Sequence, residues 1–198
     1  LHIAGLDEAG RGAWAGPVVA AAVILPLLGG RTAEVELPKE LVPVRDSKLL
    51  SSRRREELLG AIQTTALAVG VGMVTAEEID ATGIVQATRK AMRTALSDLD
   101  PAAQHLLIDY LLLPEVKLPQ RAMAHGDTFC YSIAAASIVA KVRRDHLMVE
   151  LGARFPGYGF AQHKGYGTPA HRNALDRLGP SPIHRLSWAP CLRLSGRP

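Results

Sequence analysis

The chain has 198 residues, 47% hydrophobic and 21% charged, enough for the buried core of one domain and unlike a disordered or low-complexity protein. Its two cysteines, Cys130 and Cys191, exclude a disulfide framework and a zinc–thiolate cluster, and a reducing, cytoplasmic compartment is expected. The net charge of +4 is unevenly spread: residues 1–140 carry 13 basic and 16 acidic side chains, whereas residues 141–198 carry 10 and 3. A basic C-terminal third is the footprint of a polyanion binder, with a solvated basic face as the alternative. The longest apolar run, Val18–Leu28 with Pro26 inside it, is too short to cross a bilayer, and Leu1–Gly5 lacks the features of a signal peptide, so no membrane partner is expected.

Leu1–Leu6 and Val18–Leu25 read as strands, the second apolar throughout as in a strand buried on both faces. Between them, Gly5-Leu6-Asp7-Glu8-Ala9-Gly10-Arg11-Gly12 joins two adjacent acids to a glycine-rich loop. Gly29–Pro43 is a loop. A helix opens at Ser51 or Ser52, presents Leu58, Leu59 and Ile62, and ends near Ala66. Leu67–Val74 is β-like although two glycines weaken it. Thr75 caps a helix start at Ala76-Glu77-Glu78, and a further helix runs from Ile84 to Leu99, stopped by Pro101. His105–Asp109 is a short strand that again ends in an acid. After a proline-bearing loop, Thr128 or Ser132 starts a long helix with Ile133, Ala136, Ile138, Ala140 and Val142 on its apolar side. Its far end is basic: Lys141, Arg143 and Arg144 read as a solvated end or as partners for Asp145. Gly157–Gly167 is irregular, Thr168-Pro169 caps and opens a helix to about Leu178, and the proline-rich tail from Gly179 has Trp188 as its large apolar anchor. The mixture predicts an α/β domain with a helical C-terminal extension.

Four acids stand where an α/β sheet can bring them together: Asp7 and Glu8 after the first strand, Asp109 after a later one, and Asp127 just before the long helix. Clustered carboxylates repel and raise one another's pKa, so such a group calls for a cation. Oxygen-only ligation suits Mg²⁺ or Mn²⁺ and argues against zinc. Two such ions could clamp the attacking and leaving oxygens of a phosphoryl displacement. Separate surface acids are the alternative, and Asp127 also reads as an N-cap.

The chain resembles the type 2 ribonucleases H (ribonuclease HII) of bacteria. The matching segments are Gly5–Gly12 with Gly16-Pro17-Val18-Val19; Asp46-Ser47-Lys48 with Leu50-Ser51; Ile79-Asp80 with Ala87-Thr88 and Ala91-Met92; Ile108-Asp109; Gly126-Asp127 with Ser132–Asp145; His163–Thr168 with His171; and His184-Arg185 with Ser187-Trp188. The resemblance implies an RNase H-like fold, a mixed five-stranded sheet flanked by helices. It implies one catalytic domain over residues 1–198, with a core of about 1–153 and a substrate-binding segment of about 154–198. It implies metal-dependent hydrolysis of RNA in RNA–DNA hybrids and incision 5′ to ribonucleotides embedded in duplex DNA, leaving 3′-hydroxyl and 5′-phosphate ends, as in ribonucleotide removal. The family's metal-binding acids map onto Asp7, Glu8, Asp109 and Asp127. A monomer is expected, and a sliding clamp is an open partner for which no C-terminal binding peptide is evident. Two positions depart from the family pattern: Tyr110 stands where glycine is frequent and His125 where lysine is frequent.

An enzyme that must find RNA within DNA has the 2′-hydroxyl as its cue. Gly10-Arg11-Gly12 suits this: glycines let backbone N–H and C=O groups approach a sugar, and the arginine can reach a phosphate. By resemblance, Tyr166 stacks on the deoxyribose after the ribonucleotide; a half-buried loop aromatic is the alternative. Lys48, Lys164 and Arg185 are candidate phosphate contacts, with plain surface charge as the competing reading of each. Trp14 is expected to pack, Ala134–Ser137 to mark a close helix–sheet contact, and His105, His146 and His171 to be structural or on the surface.

Overall fold

The computed structural model describes residues 1–26 and 50–193; the Gly29–Pro43 loop, the Asp46-Ser47-Lys48 segment and residues 194–198 lie outside them. In chain order the elements are β1 (Ile3–Ala9), β2 (Val18–Ile24), α1 (Ser52–Thr65), β3 (Ala68–Val74), α2 (Ala76–Thr82), α3 (Ile84–Ser97), β4 (His105–Asp109), β5 (Gln120–Met123), α4 (Gly126–Phe129), α5 (Tyr131–Arg154), α6 (Phe160–His163), α7 (Pro169–Leu178) and α8 (Ala189–Leu192). The strands form one sheet in the order β3-β2-β1-β4-β5. β1, β2 and β3 pair antiparallel, whereas β4 and β5 run parallel to β1. This is the mixed, helix-flanked sheet expected.

Alternation along the strands sends side chains into two cores. Ala4 and Leu6 of β1, with Ala20, Ala22 and Ile24 of β2, pack against Ala87, Ala91, Met92 and Ala95 of α3. Ala21 and Val23 face the other way, onto Leu58 and Ile62 of α1 and Ala135, Ile138 and Val139 of α5. β2 is therefore buried on both faces along its whole length. Two close approaches set the layer spacing. A Cβ on Gly5 would stand 2.1 Å from the Ser132 carbonyl carbon, so only glycine lets α5 lie directly on β1. Gly70 and Gly72 play the same part under α3, where a Cβ would meet the Ala95 and Ala91 carbonyl oxygens at 2.0 Å. The glycines that weaken β3 as a strand are what seats its helix.

Caps fall where the hydroxyls predict. Ser51 accepts from the Arg54 N–H at 3.2 Å, Thr75 from Glu78 at 3.3 Å and Thr168 from His171 at 3.2 Å, each worth about 1 kcal/mol. Four expectations need correction. β1 continues through the acids to Ala9, because Asp7 and Glu8 pair with Ala21 and Ala20 of β2. α3 ends at Ser97, where Asp98 turns away and its carboxylate accepts from the Val71 N–H. The proline-bearing loop contains β5, a four-residue edge strand directly after Pro119, a place where a missing N–H costs nothing. The long helix opens at Tyr131 and is preceded by the separate single turn α4.

Candidate active site

Parallel pairing of β1 with β4 aligns their C-terminal ends. Leu6 lies opposite Ile108, both on the α3 side, so the next residues, Asp7 and Asp109, emerge together on the α5 side. Asp7 is only 5% exposed; its carboxylate accepts from the Glu8 N–H at 2.7 Å and is hydrogen-bonded to Ser137 of α5. Asp109 Oδ1 accepts from the Gly126 N–H at 2.8 Å, which ties the end of β4 to the start of α4. Asp127, 3% exposed, therefore sits in the first turn of α4 and is not an N-cap; the cap position is His125, in left-handed conformation at φ 56°. Glu8 alternates to the other side of β1 and pairs with the Arg11 guanidinium at 3.2 Å.

Burial above all, and then the adjoining charge of Glu8, hold the Asp7 carboxyl well above the usual carboxylate range; Asp109 adds to this, while hydrogen bonds from Ser137 and the Glu8 N–H oppose it. A buried acid raised by neighbouring acids is a site short of positive charge. Among the described residues no three His, Cys, Asp or Glu side chains are gathered closely enough to hold an ion unaided. The donor chemistry nonetheless fits a hard divalent cation: all oxygen, with Glu8 and Asp109 both within electrostatic reach of Asp7.

The glycine loop after β1 is held from behind by two arginines, both 0% exposed. Arg185 donates to the carbonyls of Gly10 (2.7 Å), Arg11 (2.7 Å) and Gly16 (3.0 Å). Arg144 donates to those of Pro17 (2.9 Å), Ala15 (3.1 Å) and Lys164 (2.9 Å). Gly10, at φ 95°, leaves room for this, since a Cβ there would stand 1.9 Å from Arg144 Nε. Burial lowers the pKa of both, that of Arg185 to about 10. Two expectations are thereby corrected. Arg185 is not placed for a phosphate, and Arg144 is not a solvated helix end; each spends a planar fork of donors on clustered backbone carbonyls. The Gly10 carbonyl already accepts two hydrogen bonds, from Arg185 and from the Ala13 N–H, and the Arg11 carbonyl accepts one, so the loop's remaining offer to a sugar is weighted towards its N–H groups.

Arg144 and the backbone join the second loop to the first. The Gly165 carbonyl accepts from Trp14 N at 2.8 Å and Ala15 N at 3.3 Å, and Arg144 binds the Lys164 carbonyl. Gly10-Arg11-Gly12 and Tyr166 therefore belong to one hydrogen-bonded assembly next to the acids. The half-buried Tyr166 ring has Arg144 Cζ 5.2 Å and Lys141 Nζ 5.6 Å from its centre. Lys164 turns its ammonium onto the Ala161 carbonyl, and Lys141 also pairs with Asp145 at 2.8 Å. Trp14 packs as expected, against His171, with Arg172 over its ring. Lys48 lies outside the described residues. Ser137, assigned to packing, does touch a candidate acid. Tyr110 is 65% exposed at φ 63°, with the Arg11 guanidinium 5.7 Å from its ring; a left-handed position explains a preference for glycine there.

A family profile described as Ribonuclease HII matches residues 4–191. The chain belongs to the ribonuclease HII family. It is 53% identical over 191 residues to a ribonuclease HII of Chloroflexus aurantiacus, a match spanning 96% of this chain and 88% of that protein. The ribonuclease H2 of Pyrococcus horikoshii OT3 superposes with a TM-score of 0.80 at 24% identity, covering 98% of this chain and 97% of that one, which fixes the RNase H-like fold. A ribonuclease HII of Archaeoglobus fulgidus, solved in complex with PCNA, superposes with a TM-score of 0.76 at 29% identity, with 95% of each chain covered. The chain is a ribonuclease H, an enzyme that cleaves the RNA of RNA–DNA hybrids.

Proposed function

We propose that this ribonuclease HII is a divalent-metal-dependent endonuclease that cuts the RNA strand of hybrids. It also incises duplex DNA 5′ to an embedded ribonucleotide, leaving 3′-hydroxyl and 5′-phosphate ends in the course of ribonucleotide removal. The observation that carries this reading is the buried Asp7, raised by Glu8 and Asp109, beside a glycine loop whose carbonyls are fixed by Arg185.

Asp7, Glu8, Asp109 and Asp127 would hold Mg²⁺ or Mn²⁺, two ions in the working enzyme. Bound there, the ions supply charge neutralisation at the phosphoryl oxygens and acidify the attacking water. Ser137 and the Gly126 N–H orient the Asp7 and Asp109 carboxylates. The N–H groups of Gly10-Arg11-Gly12 meet the 2′-hydroxyl, and Arg11, half-exposed and tethered by Glu8, reaches the adjoining phosphate. Tyr166 stacks on the sugar that follows, with Lys164 and Lys48 as phosphate contacts. The enzyme works as a monomer; a sliding clamp stays an open partner, since a relative was solved with PCNA.

The test is calorimetric titration of Mn²⁺ into wild type and into the four single Asp→Asn or Glu→Gln variants, alongside cleavage of a long hybrid. Loss of both binding and cleavage with an unchanged circular-dichroism spectrum is expected for Asp7 and Asp109. Full Mn²⁺ binding and turnover in Asp7→Asn would refute the assignment.

A further inference from the structure

Behind Tyr166 lie three imidazoles: His163 at the end of α6, His171 on α7 and His184 on the tail. His171 and His184 are buried and face each other, Nε2 to Nε2, at 3.0 Å. One backbone donor settles where their protons are. The Ser181 N–H points at His184 Nδ1 at 2.8 Å, and a main-chain N–H can only donate, so His184 Nδ1 accepts and its proton sits on Nε2. That proton is given to His171 Nε2, so the proton of His171 sits on Nδ1, and Nδ1 donates to the Tyr166 carbonyl at 3.0 Å. The chain runs in one direction, from Ser181 through both rings to Tyr166, and each ring is neutral. His163 stacks on His171 at 4.3 Å and is fixed the same way, accepting from Gly165 N–H and donating to the Tyr158 carbonyl.

The pair offers a further proton two acceptor nitrogens. On His171 Nε2 it would set two N–H groups against each other across the 3.0 Å gap, and on His184 Nδ1 it would face the Ser181 N–H at 2.8 Å; either place breaks the chain. The ionisable and charged groups around the pair are His163 from α6, Tyr158 ahead of α6 with its ring 5.1 Å from that of His184, and Arg172 over Trp14. Arg144 of α5 lies at the Tyr166 ring and Arg185 is next in sequence to His184. Asp80 of α2 is engaged by the N–H groups of Leu186 and Ser187. Burial, followed for His184 by the His171 charge, pushes both rings down to about 4. A depressed histidine favours the neutral fold, so its contribution is complete above the ordinary 6.5 and is eroded as pH falls towards about 4.

We infer that His171 and His184 are positioning residues that act through Tyr166: their neutral, one-way hydrogen-bond chain holds the His163–Gly167 loop in its substrate-reading position, and protonation of the pair releases it. This rests on the proposed role of Tyr166 at the junction between ribonucleotide and DNA.

The experiment has an arm that does not need activity. Long-range ¹H–¹⁵N spectra of the intact chain should show His184 protonated on Nε2, His171 on Nδ1, and neither titrating near 6.5. The Tyr166 carbonyl carbon and Gly167 amide should shift with the same midpoint as the rings. Opposite tautomers, or titration near 6.5, overturn the inference whether or not the protein cleaves anything. In the second arm, the ratio of kcat/KM for a single-ribonucleotide duplex to that for a long hybrid is followed from pH 7.5 to 3.5, past the value of about 4 at which the rings take up a proton. Taking a ratio cancels titration of the acids common to both substrates. The ratio should fall about threefold to tenfold at the acid end, the worth of one hydrogen bond, while circular dichroism still reports a folded chain. In His171→Asn, whose Nδ2 stands where Nδ1 stood and can donate to Tyr166 but does not titrate, the fall should vanish. A flat wild-type ratio, or an identical fall in both proteins, overturns the positioning role. Failure to cleave either substrate refutes the proposed function and leaves the tautomer result to judge the hydrogen-bond chain.

Discussion

Arg185→Lys keeps the positive charge and removes the fork. In the native protein the guanidinium spans three backbone carbonyls, of Gly10, Arg11 and Gly16, with no solvent exposure. A lysine nitrogen at that depth cannot reach all three, so one or two buried carbonyls lose their donor at about 1–3 kcal/mol each. One or two such losses total about 1–6 kcal/mol, and about 3 kcal/mol corresponds to a drop in Tm of about 6–12 °C for a chain of this size. Thermal unfolding by circular dichroism measures it, with Arg11→Lys, half-exposed on the same loop, as the control expected to change little. An exposed phosphate-binding arginine would tolerate lysine. A Tm within 1–2 °C of wild type, about the size of a surface effect, would refute the buried-strut account of Arg185.

Asp7→Asn should abolish cleavage and, in metal-free buffer, raise Tm at neutral pH. The Asp7 carboxyl titrates above its unfolded value, so its ionised form destabilises the fold at pH values above that range, and the amide removes this penalty. The gain should disappear in acid, where Asp7 is protonated in both states; a lower Tm at pH 7 would contradict the sign. Tyr110→Gly relieves a left-handed residue whose ring is mostly exposed, and should raise stability by about 1 kcal/mol, read as a Tm shift of about 2–4 °C; a fall would show that the ring against Arg11 matters more than the backbone. Tyr166→Ala should weaken incision at a single embedded ribonucleotide more than cleavage of long hybrids, and equal losses in the two assays would remove its junction-sensing role.

Much of the fold is written in local pattern. The unbroken apolar run of β2 announces a strand covered on both faces, and Ser51, Thr75 and Thr168 announce their helices. β5 escaped because four residues after a proline carry too few alternations to register. Asp7 and Asp109 were legible as strand-end acids, and the parallel β1–β4 register is what makes them neighbours. Depth was not legible. Arg143 and Arg144 are adjacent and chemically identical in the sequence, yet Arg144 is fully buried and Arg143 is exposed. Arg185 likewise reads as surface charge until the tail is folded over the glycine loop. His171 and His184 carry no periodic signal at all; their meaning arises from the meeting of α7 with the tail.

Cutting at a ribose within DNA takes the acids and the glycine loop together. The direct measurement is a duplex DNA with one ribonucleotide, incubated with Mg²⁺, with Mn²⁺ and with chelator, and mapped at nucleotide resolution. A single metal-dependent incision on the 5′ side of the ribonucleotide, with a 3′-hydroxyl on the upstream DNA and a 5′-phosphate on the ribonucleotide, is predicted. Incision on its 3′ side, cleavage that persists in chelator, or an uncut duplex under conditions where long hybrids are degraded would contradict it.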